Sequence, residues 1–159
     1  MSDLVPKTPR FAPREIFEQI LDYAVIPTFD LILHMSGRGA LIVRRKIPPY
    51  RDTWALPGLR MMKPEGIDET LIRIARSELG LRIDPTKRRF IGQYVGRFKT
   101  EHQRQDLSTC YAVEIGESDI ALNSDHFHAM RHVPSVTEIP SKTGAMYRYY
   151  LERFFNPVD

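Results

Sequence analysis

Cysteine is nearly absent from this chain: Cys110 is the lone one among 159 residues. That excludes an intramolecular disulfide and any metal site built from several thiolates, and it makes a reducing, cytoplasmic setting the expectation. Long apolar runs are missing as well. No stretch approaches the roughly 20 residues that a membrane-spanning helix needs, and Met1-Ser2-Asp3-Leu4-Val5-Pro6 lacks the basic-then-apolar order of an export signal. Neither sign of charge dominates. The 23 Lys and Arg against 20 Asp and Glu leave a formal charge of +3, with bases scattered among acids. Nothing therefore marks a nucleic-acid-binding face, and a small anionic substrate suits the balance. Internal repeats and low-complexity tracts are also missing. What is present, 42% hydrophobic and 27% charged positions, suits a single domain over residues 1–159 with a sizeable core.

Pro6, Pro9 and Pro13 predict an irregular N-terminal segment over residues 1–13. The apolar spacing from Arg14 to Leu21 predicts a short helix. Two β-like runs follow, residues 24–34 and 40–45, joined by a hairpin turn at Ser36-Gly37-Arg38-Gly39. Residues 48–52 read as a loop returning at Trp54-Ala55-Leu56. From Pro64-Glu65-Gly66, apolar residues Ile67, Leu71, Ile74, Ala75 and Leu79 recur at helical steps until Gly80, a residue suited to the position just past a helix end. Residues 89–98 and 107–115 read as paired strands with a polar loop over 99–106. Residues 126–132 read as a loop entering a last short strand near Arg131-His132-Val133. The aromatic-rich tail, residues 145–155, has helical spacing again. Strands, a central helix, more strands and a closing helix predict an α/β fold, a mixed β-sheet sandwich flanked by helices.

The stretch from Leu56-Pro57-Gly58-Leu59-Arg60 to Glu78-Leu79-Gly80-Leu81 carries the functional argument. It resembles the Nudix box. Counting back from Gly80-Leu81 places Arg73 at the box arginine, Glu78 at its last glutamate and Glu65 at the upstream glutamate. Ile74 and Ser77 stand where two further acids are expected, and Gly58 comes one residue early. Positions 74, 77 and 78 are spaced i, i+3 and i+4 and so share one helical face. A full set of acids there presents a carboxylate cluster to two or more magnesium ions. Here the face presents Glu78 alone. One carboxylate suits one Mg2+, which keeps several waters and takes phosphate oxygens as ligands, but it does not suit a multi-metal centre activating water for attack on phosphorus. If a metal and arginines neutralise a diphosphate, it becomes a good leaving group, and water can attack the anomeric carbon of an attached sugar with help from a general base.

Within the Nudix superfamily, the chain resembles the GDP-mannose mannosyl hydrolases, which use that chemistry. The resemblance rests on Pro57-Gly58, Arg60, Lys63, Glu65, Arg73 and Glu78-Leu79-Gly80-Leu81-Arg82, on a box one residue longer with two glutamates absent, and on residues 29–32, 41–45 and 108–111. It implies a Nudix fold, a GDP-hexose substrate and a homodimer. Glu78 and the carbonyl of Gly58 would bind magnesium, with Arg60 and Arg73 supporting the diphosphate. Arg45 and Tyr111 would contact the diphosphate, and Asp30 would reach the sugar. Arginine's fixed fork of donors fits phosphate oxygens.

The base is implied by the family's metal-binding glutamine followed by a histidine. Strict counting from Arg131 puts Phe127 at the base position, whereas a one-residue insertion makes Asp125 the metal ligand and His126 the base. We adopt the second alignment, with His128 in reserve. Leu59 and Gly96 depart from the family pattern, which has a second glycine and a histidine at those places. The plainer readings are that Glu65 and Arg73 pair to brace the loop, that Tyr111 is a core aromatic, and that Arg45 is a surface charge. His126, His128 and His132 do not share a face suited to zinc. Three functions remain in competition: hydrolysis at the sugar carbon, phosphorus–oxygen cleavage by a Nudix diphosphatase, and nucleotide-sugar binding without turnover.

Overall fold

The computed structural model describes residues 8–48, 50–100 and 102–158. Residues 1–7 of the expected irregular segment, Pro49 of the 48–52 loop and Glu101 of the 99–106 loop lie outside the described residues. The elements run α1 (Arg14–Tyr23), β1 (Ile26–Met35), β2 (Gly39–Arg45), β3 (Trp54–Ala55), β4 (Gly58–Arg60), α2 (Ile67–Leu79), β5 (Arg89–Arg97), β6 (Gln105–Glu114), β7 (Phe127–Val133) and α3 (Ala145–Phe155). Among the described residues the seven strands form one mixed sheet, in the order β3-β2-β1-β6-β5, with β4 on β1 and β7 on β2.

β1 organises the site because one of its edges serves two strands. Along the other edge it runs parallel to β6, from Ile26 opposite Asp106 to His34 opposite Glu114. Its first edge pairs with β4 over Thr28–Asp30 and with β2 only at His34 and Met35. Side chains alternate across a strand. Phe29, Leu31 and Leu33 accordingly pack with Leu71, Ile74 and Leu79 of α2, while Ile32 packs with Tyr150 and Leu151 of α3. The sheet is thus covered by a helix on each face, and the predicted α/β sandwich is what forms. Asp30 lies two residues before Ile32 and therefore on the α3 side.

α2 ends as its sequence demands. Gly80 adopts the left-handed conformation at φ 62°, which glycine tolerates without steric cost. A Cβ there would also come within 2.9 Å of the Ala121 side chain. At the helix start, the Glu69 carboxylate accepts a hydrogen bond from the Gly66 N–H at 3.0 Å, satisfying one of the donors that a helix leaves unpaired.

Several boundaries differ from the sequence reading. The start of the box, to which the sequence reading assigned no strand, forms β4 because β1 has an edge free to pair there. β6 begins at Gln105, inside the supposed polar loop, since Asp106 pairs with Ile26 and its carboxylate accepts from Arg104 at 2.7 Å. β7 starts at Phe127, earlier than expected, because that side chain is buried and its backbone pairs with Arg45 of β2.

Candidate active site

A cavity of about 610 Å³ opens at the end of the sheet where β1 and β6 begin. Asp30, Arg45, Gly58 and Arg60 all line it, joined by Asp106 and Tyr147. The sequence had singled out the first four from separate segments, and the fold brings them together. Asp30 projects from β1 directly opposite Gly58 of β4. The glycine is needed for close approach: a Cβ on it would lie 2.3 Å from Asp30 Oδ1. On the other carboxylate oxygen, Ser108 Oγ donates at 2.5 Å, and the Tyr150 hydroxyl donates to Ser108 Oγ at 2.8 Å. Burial pushes the Asp30 pKa up to about 7, although the Ser108 hydrogen bond pulls it down; Asp106 adds to the rise and Arg45 offsets it.

Positive charge gathers on the opposite wall. Arg60 has its pKa lowered by burial and by the neighbouring Arg104 and Arg73 guanidiniums. Arg73 is paired with Glu65 and Arg104 with Asp106, which leaves Arg60 as the guanidinium of the three best placed to meet an anion in the cavity. Arg60 also sits 3.8 Å over the ring of Phe17, which ties α1 to the cavity wall. Arg45 hydrogen-bonds the hydroxyl of Tyr147, a phenol that burial, then Asp30, holds well above its usual range.

Glu78 and His126 form a second group beside this one. Glu78 is 1% exposed, and both of its carboxylate oxygens lie 3.0 Å from His126 Nδ1. An ionised carboxylate only accepts, so against it Nδ1 is the donor, and in the neutral imidazole with that tautomer the lone pair lies on Nε2; the Asn123 side-chain amide lies 3.3 Å from the same Nδ1. Burial raises the Glu78 pKa, and His126, Arg45 and Arg73 offset part of the rise. Arg45 acts on both Glu78 and Asp30, and it is the residue that links the two groups. Neither Glu78 nor His126 lines the cavity itself.

The histidine is placed by main chain. Ala121 N–H bonds the Leu79 carbonyl and Asn123 N–H bonds the Glu78 carbonyl, both at 2.9 Å, so this loop continues from the end of α2. Asn123 Oδ1 then accepts from the Asp125 N–H at 3.1 Å, turning the chain so that His126 meets Glu78. Asp125 itself is exposed at this turn, and it is His126 that the structure sets against Glu78. His128 is held elsewhere, with Nε2 3.2 Å from Asp52 Oδ1.

Arg73 is engaged within the protein through Nε and Nη2. Its guanidinium donates to Glu65 at 2.6 and 2.9 Å and to the Arg60 carbonyl at 2.6 Å. Burial opposes ionisation of Glu65, yet Arg73, the Met62 N–H and Thr70 hold it below the usual carboxylate range. The pair therefore clasps the box loop to α2. Removing one partner of this part-buried pair strands the other charge, so Arg73→Met is expected to lower unfolding stability by about 1–3 kcal/mol, read from the urea midpoint. Tyr111 stands apart from the cavity lining. It stacks on Phe29 with centroids 6.1 Å apart and meets Phe90 edge-on.

A metal site can be tested against these donors. Among the described residues, no group of three or more His, Cys, Asp or Glu side chains converges on one point. Ile74 is 0% exposed within the core and Ser77 is exposed, so of the three box positions on that face Glu78 alone offers a buried oxygen donor. The carbonyls of Pro57 and Leu59 are the ones aligned with β1, where the Leu31 N–H reaches Pro57 O at 2.9 Å. Alternation turns the Gly58 carbonyl outward, on the same side as the Arg60 carbonyl that meets α2 at Arg73. A carboxylate and an outward-turned carbonyl are donor types that suit a single hard cation keeping most of its waters.

Residues important to this geometry but not flagged in the sequence are Ser108, Asp106, Tyr147, Tyr150 and Asn123. Asn123 alone left a local signal, because Asn-Ser-Asp is strong turn chemistry. The others act through contacts between distant segments.

Residues 26–154 match the family described as the NUDIX domain, and the chain belongs to that family. Among its relatives, the low-salt glycan biosynthesis protein Agl8 of Haloferax volcanii is 25% identical over 152 residues, covering 92% of this chain and 90% of that protein. The fold is similar to the MutT NUDIX hydrolase from Burkholderia pseudomallei (TM-score 0.69, 17% identity, 80% of this chain and 95% of that one). It is also similar to the NUDIX domain of Shewanella oneidensis NrtR complexed with ADP ribose (TM-score 0.67, 14% identity, 90% and 97%). No helix among the described residues is long and apolar enough to cross a membrane.

Proposed function

We propose that this Nudix domain hydrolyses a nucleoside-diphosphate sugar, a GDP-hexose of the GDP-mannose kind, at the sugar's anomeric carbon, releasing GDP and free sugar. The observation that carries this reading is the α2 face on which Glu78 is the single buried acid, with Ile74 sealed in the core. A divalent ion, Mg2+, held by Glu78 and the Gly58 carbonyl would supply charge neutralisation on the diphosphate.

The chain's own residues do the rest. Arg45 and Arg60 face the diphosphate from the cavity wall, while Arg73 keeps the Arg60 loop in place by bonding its carbonyl. Asp30 presents Oδ1 to a sugar hydroxyl, with Oδ2 anchored on Ser108. His126 is the base: its Nδ1–H is spent on Glu78, which leaves Nε2 to take the proton of the attacking water. The family relative Agl8 is described as a glycan biosynthesis protein, and sugar-bearing nucleotides belong to that chemistry.

Product analysis tests the reading. Incubation with GDP-mannose and magnesium is expected to give GDP and mannose. GMP with mannose phosphate would place the cleavage at phosphorus, and absence of turnover over a panel of nucleotide sugars would leave a binding module.

A further inference from the structure

The cavity is asymmetric. Its floor is charged, with Asp30, Arg45 and Asp106, whereas its rim carries aromatic rings from two loops remote in sequence. Tyr50, from the loop between β2 and β3, meets Phe98, from the loop between β5 and β6, with ring centroids 6.1 Å apart and planes tilted by 49°. Both line the cavity, and Tyr50 is 57% exposed, an unfavourable position for an aromatic ring with no ligand to cover it.

The backbone beneath these rings is held under strain. Tyr50 and Asp52 have φ of 62° and 65°, and Gln103 has 47°, values that side-chain-bearing residues rarely adopt. Hydrogen bonds hold the described residues of both loops in this state. Thr53 Oγ1 donates to the Tyr50 carbonyl at 2.6 Å, the Asp52 N–H reaches the Arg45 carbonyl at 2.8 Å, and the Phe98 N–H reaches the Arg104 carbonyl at 2.9 Å. Strain maintained by such bonding concentrates at ligand clamps.

Gly96 completes the arrangement. It sits in β5 opposite Asp106, on the buried face and two residues before Phe98. A Cβ there would lie 3.3 Å from Cε2 and Cζ of Phe98, so that the ring would have to give by a few tenths of an ångström, and by more for a larger side chain. The glycine that departs from the resembled pattern thus gives Phe98 its place.

We propose that Phe98 and Tyr50, with the space left by Gly96, form an aromatic clamp that takes the nucleobase of the substrate. The inference rests on the nucleoside-diphosphate reading above and extends it to the far end of the ligand. The rings receive the flat base, the arginines receive the diphosphate, and the carboxylate floor receives the sugar. A base stacked on an aromatic side chain loses affinity when the ring is removed, because every base has a π-face to stack.

The test compares GDP with inorganic pyrophosphate as ligands, in magnesium, by calorimetry. Relative to the wild type, Phe98→Ala and Tyr50→Ala are expected to weaken GDP binding roughly tenfold each and to leave pyrophosphate binding unchanged. Phe98→Leu, which keeps an apolar side chain at the position, is expected to weaken GDP in the same direction; Gly96→Val should do so by pushing the ring aside. Wild-type affinity for GDP in all four variants would overturn the clamp while leaving the nucleotide reading intact. A wild-type protein that binds pyrophosphate as tightly as GDP would overturn both.

Discussion

Glu78→Gln is expected to lower magnesium-dependent kcat by about a hundredfold or more while leaving the protein at least as stable at pH 8. The two effects separate because the buried acid costs folding free energy. Burial raises its pKa above the ordinary carboxyl value of 4.5. An acid whose folded pKa is raised holds its proton longer in the native state than in the unfolded chain. Stability linked to Glu78 is therefore full below pH 4.5 and is lost as pH rises through the folded pKa. The amide carries no charge to desolvate, so at pH 8 the variant avoids that loss and can still accept from His126 through its oxygen. Steady-state rates over a magnesium titration and thermal melts at pH 5 and pH 8 check both halves. An unaltered kcat would remove Glu78 from the chemistry.

Asp30→Asn is expected to change the pH dependence of stability most. Asp30 is 4% exposed, and its pKa rises from 3.8 to about 7. Between those values the unfolded chain is ionised and the native state is not, so wild-type stability falls as pH rises across that window. At 1.36 kcal/mol per unit, the rise corresponds to a loss on the order of 4 kcal/mol by pH 8. The asparagine variant is expected to show a flatter profile over the same range, measured by denaturant unfolding at half-unit steps. Activity should move the other way. Losing a charged acceptor for a sugar hydroxyl costs roughly 1.5–3 kcal/mol, a ten- to hundredfold fall in kcat/KM. An unchanged stability profile would show that the carboxylate is solvated in the native state.

The helix that carries the box was legible because its signals are local. The periodicity through Ile67, Leu71, Ile74 and Leu79 and the stop at Gly80 are both met within a few residues of chain. The paired strands were legible for the same reason, to within a few residues at their ends. β4 was not, since three residues pair there only because β1 leaves an edge open. In the site, Asp30 was singled out through the resemblance; it is an acid set in an apolar run, and its hydrogen bond from Ser108 explains how it is tolerated there. Its support from Ser108 and Tyr150 was hidden because those residues lie 78 and 120 positions further along and meet it only through the parallel pairing of β1 with β6 and the packing of α3. Arg73 illustrates both sides. Its motif position and its pairing with Glu65 were open to the sequence, but its bond to the Arg60 carbonyl, 13 residues away, comes only from the geometry.

The backbone bonds from residues 121 and 123 to the end of α2 make acid and histidine parts of one register. Chain length is free to vary in the exposed stretch from Gly116 to Asp119, since nothing downstream takes its position from there. Between Ala121 and His126 a single inserted or deleted residue would rotate the imidazole away from Glu78 without touching either side chain. Spacing in that short segment is therefore as much a condition for the pair as the histidine itself.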